Sequence, residues 1–208
     1  MNLNQDEIKA DIIRLSDQDF YFKYIIKSGN WYFSEYQKTP DNELLDKIDS
    51  FKEIVSNNFE VSFHSVQIVG SAKLGMSLSP KKPFREFISI AQNENEHESD
   101  IDVAIVSEKL FAQIWDEIRE AMKKEFVPKY TKIVSDIFNG YINDKDFKSL
   151  EYMRKKWEEK ISRSNIKLQD ELLICHPISY RIYRNWEDME EYQLSGIRQL
   201  KERSFNEI

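Results

Sequence analysis

The sequence predicts an α+β protein, a small mixed β-sheet wrapped by several α-helices. Two short apolar runs carry the strand signal: "VSFHSVQIV" at 61–69 and "IDVAIV" at 101–106 are brief and rich in β-branched residues. Longer segments around them repeat apolar residues at helical spacing. Read along the chain, the order is helices, strand, short helix, strand, several helices, strand, helix, which suits one small sheet covered by helices.

Residues 5–58 read as helical. Within "DNELLDKIDSFKEIVSNNF", Leu44, Ile48, Phe51 and Val55 fall on one helical face, and Thr39-Pro40-Asp41 supplies a start signal. The stretch "DFYFKYIIKSGNWYFSEYQ" is dense in aromatics, with Gly29-Asn30 as a break. It is expected to pack as a helical layer on the core, a ligand-stacking surface being the alternative. The first strand covers 61–69, with His64 as a strand histidine, and Gly70 ends it. A short helix from Ser71 to about Pro80 follows. Residues 80–99, "PKKPFREFISIAQNENEHES", contain two prolines and an Asn/Glu-rich tract and read as a surface loop.

After the second strand, Leu110, Phe111, Ile114, Trp115, Ile118 and Met122 form one apolar stripe, with Ser107 placed to cap the helix. More helix is expected to about residue 163, interrupted near Pro128 and Gly140. "SRSNIKLQD" reads as a connector and "ELLICHPISYRIYR" as one or two extended segments divided by Pro177. "NWEDMEEYQLSGIRQLKERS" closes the chain as a helix with Asn185 as its cap. The expected organisation is an N-terminal helical segment, 1–58, packing on a domain at 59–208 that carries a helical insertion at about 107–163.

Composition narrows the classes. The 208 residues are 40% hydrophobic and 32% charged, which fits a globular chain with a real core. The net charge of −7 repels a nucleic-acid backbone and gives no support to a dedicated DNA-binding module. A single cysteine, Cys175, rules out an intrachain disulfide and accords with a reducing cytoplasm. No apolar run approaches the roughly 20 residues of a membrane span, and the N-terminus lacks the pattern of a secretory signal. The expected compartment is the cytoplasm, with no membrane partner.

The chemistry concentrates in "VQIVGSAKLG" at 66–75 and "SDIDVAIV" at 99–106. Successive side chains of a strand point to opposite faces, so Asp100 and Asp102 share one face while Ile101, Val103 and Ile105 take the other. Two neighbouring carboxylates repel unless a positive charge lies between them. A hard divalent cation such as Mg²⁺ supplies that charge through oxygen ligands. Gly70 permits close approach of the backbone to a ligand. Free N–H groups at the start of the following helix, with the Ser71 hydroxyl, suit phosphate oxygens, and Lys73 adds positive charge. Together the two stretches describe a site for a nucleoside triphosphate with its metal.

These residues resemble the signature of the DNA polymerase beta-like nucleotidyltransferase superfamily over about 63–107. That signature is an apolar strand, Gly-Ser, a short helix, then two acidic residues separated by one apolar residue on the next strand. The resemblance implies a sheet of the nucleotidyltransferase type. It makes Gly70 and Ser71 the phosphate-contacting pair and Asp100 and Asp102 the catalytic ligands of Mg²⁺ or Mn²⁺. It implies transfer of a nucleoside monophosphate from an NTP, such as ATP, to an acceptor hydroxyl on protein, RNA or a small molecule. Members of the superfamily work in bacterial defence and toxin–antitoxin pairs. The alternative it carries is a catalytically inactive nucleotide-binding regulator, or an antitoxin-like partner, on the same fold.

Two departures stand out. The gap from Ser71 to Asp100 is long, so 80–98 reads as an insertion over the site, bringing Lys81, Lys82 and Arg85. Active members usually add a third carboxylate on a later strand, yet "ISYRIYR" contains no acid. Asp170 and Glu171 precede it, and Glu187 and Asp188 follow. Zinc held by His97, Cys175 and His176 lacks any paired Cys/His spacing. "YRIYRNW", with Arg181 and Arg184, reads as an ordinary sheet edge, base stacking being the alternative.

Overall fold

A computed structural model describes residues 4–27, 29–91 and 97–206. It is an α+β fold whose described residues form a single four-stranded mixed sheet in the order β1-β2-β4-β3. The strands are β1 (Val66–Val69), β2 (Ile101–Val106), β3 (Tyr141–Asn143) and β4 (Ile178–Tyr183). Among the described residues no helix is long and apolar enough to cross a membrane. By internal contact the chain divides into two compact units, one made of 1–48, 68–102 and 190–208, the other of 49–67 and 103–189.

The first unit opens with α1 (Gln5–Arg14) and α2 (Asp17–Phe20), each started by a polar cap. Asn4 accepts from the Asp6 backbone N–H at 2.9 Å and Ser16 from that of Asp19 at 3.0 Å. Two wide π-helical turns follow, Tyr21–Ile26 and Tyr32–Tyr36. The first is closed by Lys27 N–H on the Phe22 carbonyl at 2.9 Å. The aromatic stretch therefore serves mainly as packing: Phe20, Tyr24, Tyr32 and Phe33 are buried. Trp31, Tyr36 and Phe87 form a contiguous ring cluster.

Ile8 and Ile12 of α1 share a core with Phe20, Tyr24, Leu74 and Met76. From the distant end of the chain, Leu194, Ile197 and Leu200 of α9 (Trp186–Asn206) join them. One buried carboxylate lies at the rim of this core. Asp11 accepts from Lys23 Nζ at 2.6 Å and from the Tyr24 hydroxyl at 2.9 Å. The Lys23 hydrogen bond holds its carboxyl below the usual range, against the opposing effect of burial.

In the second unit α5 (Glu108–Met122) and α8 (Glu151–Leu172) supply the long helical faces. Ser107 caps α5, its hydroxyl accepting from Leu110 N–H at 3.2 Å. Leu110, Phe111, Ile114 and Ile118 are buried as the stripe predicts, whereas Trp115 and Met122 at its edges are exposed. On α8, Met153, Trp157, Ile161, Leu168 and Leu172 recur on one buried face. That face carries the helix straight through "SRSNIKLQD", which is helix rather than the expected connector. Phe59, at the end of α3 (Asp41–Phe59), packs on Trp157 and Tyr180 with ring centroids 5.3 and 4.8 Å apart.

Three other boundaries shift for local reasons. The first strand begins at Val66 because Phe63–Ser65 form a 3-10 turn, closed by Ser65 N–H on the Ser62 carbonyl at 2.9 Å. His64 is thus an exposed turn residue rather than a strand residue. Helix α4 (Gly70–Leu74) stops well short of Pro80 because Gly75 turns left-handed at φ +79°. Strand β3 follows Gly140, where the sequence shows only a break. It pairs antiparallel with β4 in the register Ile142↔Ile182.

The short helices α6 (Tyr130–Phe138) and α7 (Asp144–Phe147) flank β3. Lys129 and Lys132 tie them together through the buried carboxylate of Asp146, Lys129 at 2.8 Å. Asn185 caps α9 by accepting from the Asp188 N–H at 2.8 Å.

Candidate functional site

Gly70, Ser71, Lys73, Asp100 and Asp102 all lie in the first unit. β1 and β2 are sheet neighbours. Gly70, at the junction of β1 and α4, adopts φ +68°, a left-handed conformation that favours glycine. Its missing side chain makes room for one specific group. An added Cβ would lie 2.5 Å from Oδ2 of Asp102 and 3.3 Å from that residue's Cγ. The second aspartate of the pair thus stands directly against the Gly-Ser turn.

Burial separates the residues at the start of β2. Ile101 and Val103 are 0% and 1% exposed, while Asp100 and Asp102 are both half-buried. Burial alternates from Asp100, just ahead of the strand, to Val103, and beyond it Ala104, Ile105 and Val106 are all buried. Ser99 just ahead of them is buried, its N–H donating to the Ile88 carbonyl at 2.8 Å while its hydroxyl accepts from Ile88 N–H at 3.0 Å. This pair of bonds fixes the approach to β2.

Ser71 is half-buried, and its carbonyl accepts from Gly75 N–H at 2.8 Å. Lys73 is 8% exposed. Burial makes it less available to a ligand than Gly70 and Ser71. Lys73, Asp100 and Asp102 all have interaction partners within the fold.

The described part of the 80–98 insertion is tied down. Met76 and Glu86 form an isolated antiparallel bridge, Phe87 N–H donates to the Gly75 carbonyl at 2.9 Å, and Arg203 Nη1 donates to the Pro80 carbonyl at 2.5 Å. Lys81, Lys82 and Arg85 are exposed on it. The Asn/Glu-rich centre, 92–96, lies outside the described residues.

Two half-exposed carboxylates with a glycine cradle beside them fit a hard divalent cation in ligand type. Among the described residues no group of three His, Cys, Asp or Glu side chains could hold a metal ion. That covers the zinc set His97, Cys175 and His176. The acids near β4 have other settings. Asp170 and Glu171 are exposed on α8, and Asp188 is bound by Arg184 Nε at 2.8 Å beside Gly140. Arg181 leans over the Tyr141 ring at 5.7 Å as part of the β3–β4 edge.

Comparison with protein-family models, characterised proteins and solved structures finds no match. The close contact of Gly70 with Asp102 is the part of the site that sequence spacing did not reveal. A glycine following a strand signals freedom of conformation, but not which side chain occupies the space.

Proposed function

We propose that the chain is a metal-dependent nucleotidyltransferase. Its substrate is a nucleoside triphosphate, and its acceptor is a hydroxyl on a protein, RNA or small molecule. The observation that supports this reading is the approach of Asp102 to Gly70, which brings a carboxylate to the turn suited to phosphate. Asp100 and Asp102 would hold Mg²⁺ or Mn²⁺. When bound, that ion neutralises phosphate charge and lowers the pKa of an attacking hydroxyl.

The chain's own residues do the positioning. Gly70 leaves the turn without a side chain, and the room so left admits the Asp102 carboxylate beside the turn. Ser71 offers its hydroxyl, and Lys73 adds positive charge on the same short helix. In the transfer, the acceptor oxygen bonds to the α-phosphorus while the bond to the β-phosphate bridging oxygen breaks. Pyrophosphate leaves and the hydroxyl proton passes to solvent water. Catalysis of this kind is mainly orientation and electrostatics.

The lack of a third acidic group among the described residues favours a second reading, nucleotide binding without transfer, in a regulator or antitoxin-like partner. One experiment addresses both. Triphosphate binding is measured by calorimetry with Mg²⁺, alongside pyrophosphate release, for the native chain and for Asp100→Asn/Asp102→Asn. The first reading expects both signals in the native chain and loss of both in the variant, at unchanged melting temperature. Binding without release supports the second reading. Full release by the double variant rejects the site altogether.

A further inference from the structure

The second unit contains a cleft that the proposed chemistry does not use. It encloses about 290 Å³ and is walled by the first turn of α5 and the middle of α8. Lys109 contributes from α5, and Lys156, Lys160 and Arg163 from α8; Glu60 and Glu159 are the lining carboxylates. Four cations against two carboxylates leave a local charge of +2 in a chain whose net charge is −7. On α8 the basic positions are spaced four and three residues apart, so they share one helical face.

Lys156 is engaged by Glu117 at 2.5 Å. Among the described residues Lys109, Lys160 and Arg163 enter no ion pair, and they outnumber the two lining carboxylates. The walls are also fixed. Asn58 Nδ2 donates to the Lys160 carbonyl at 2.8 Å, pinning α8 to the end of α3, and Ser107 caps α5.

We infer that this cleft binds a compact, multiply charged phosphate compound, such as a polyphosphate or a sugar bisphosphate. Volume and charge both point there: small-ligand pockets start at about 300 Å³, and phosphate oxygens take charge-assisted hydrogen bonds from Arg and Lys. The floor argues against a nucleic-acid strand. Sequence-tolerant strand binding relies on exposed aromatic faces for stacking. The one lining aromatic, Phe59, is 2% exposed, with Lys160 Nζ 5.6 Å above its ring.

The test uses the whole chain in EDTA, so that binding dependent on a metal at Asp100 and Asp102 is silent. Pyrophosphate, tripolyphosphate and a short oligodeoxythymidylate are titrated calorimetrically at low salt. The native chain is expected to bind tripolyphosphate more tightly than pyrophosphate, with affinity falling as salt rises. Lys109→Gln/Arg163→Gln, both exposed positions, should weaken binding by about tenfold or more at an unchanged melting temperature. Glu159→Gln should tighten it, and Asp100→Asn/Asp102→Asn should leave it as in the native chain. Absence of binding by the native chain, or equal affinity in the double Lys/Arg variant, would overturn the inference. Tighter binding of the oligonucleotide than of tripolyphosphate would overturn it too, giving the cleft to nucleic acid.

Discussion

Asp102 occupies the space a side chain on Gly70 would need: an added Cβ would stand 2.5 Å from the Asp102 Oδ2 atom. The glycine also holds φ +68°, so two independent constraints act on the same position. Neither residue can change without consequence for the other, and both belong to the proposed nucleotide site.

Gly70→Ala is therefore expected to destabilise the fold by about 1–3 kcal/mol and to displace the Asp102 carboxylate. Chemical denaturation reads the first effect and Mg²⁺-dependent triphosphate binding the second. Gly196→Ala is the contrasting control. It lies inside α9 with nothing within 4 Å of its added Cβ, and should stabilise by about 0.5–1 kcal/mol. Similar effects of the two substitutions would contradict the geometry at Gly70.

Gly75→Ala should disturb a different group. Its added Cβ would lie 2.6 Å from Trp31 Nε1 and 2.8 Å from two neighbouring ring carbons. The indole is held against Tyr36 and Phe87, with ring centroids 6.4 and 5.5 Å away, so it has little freedom to retreat. The expected outcome is a changed near-ultraviolet circular dichroism spectrum together with lower stability. An unaltered aromatic spectrum would show that the ring yields without cost.

Acid should weaken both units through specific carboxylates. Asp11 is held below the usual range chiefly by the Lys23 hydrogen bond, with the Tyr24 hydroxyl helping and burial opposing. At Asp146 burial pushes upward, but hydrogen bonds from Lys129 and Lys132 outweigh it and the net direction is down. A group whose folded pKa is depressed adds stability that is complete above its unfolded value, about 3.9 for Asp. That stability is lost as pH falls through the lower folded value. Denaturation midpoints should thus begin to fall below about pH 5. Asp11→Asn and Asp146→Asn should each reduce stability at neutral pH by about 1–3 kcal/mol and flatten the acid limb. An acid limb of native steepness in both variants would refute these assignments.

Leu173 offers a gain. It ends α8 in the left-handed region at φ 56° and is 74% exposed, so its side chain contributes little packing to offset the backbone strain. Leu173→Gly should raise stability by about 1 kcal/mol, read as a higher denaturation midpoint at unchanged slope.

The parts of the fold legible in the sequence were those fixed by local chemistry. Ser107 and Asn185 cap the helices they were expected to cap, and "IDVAIV" is β2 in full because every core-facing position is apolar. Asp100 and Asp102 are both half-buried on either side of the buried Ile101. Long-range relations were not legible. The three residues of β3 have no apolar run of their own and exist as strand only through pairing with β4. Helix α8 runs through a polar stretch because single residues such as Leu168 and Leu172 find a core that the local sequence does not announce. The basic cleft joins Lys109 to Arg163 across more than fifty positions of sequence, so no spacing rule would connect them.

Helix α9 carries Leu194, Ile197 and Leu200 into the same core as Ile8 and Ile12. During vectorial synthesis at about 5–20 residues per second, those isoleucines leave the ribosome roughly ten to forty seconds before their partners do. Until then that greasy face has its earlier partners, among them Phe20, Tyr24, Leu74 and Met76, but lacks the α9 side of its cover. In that interval the incomplete core is open to chaperone capture and self-association.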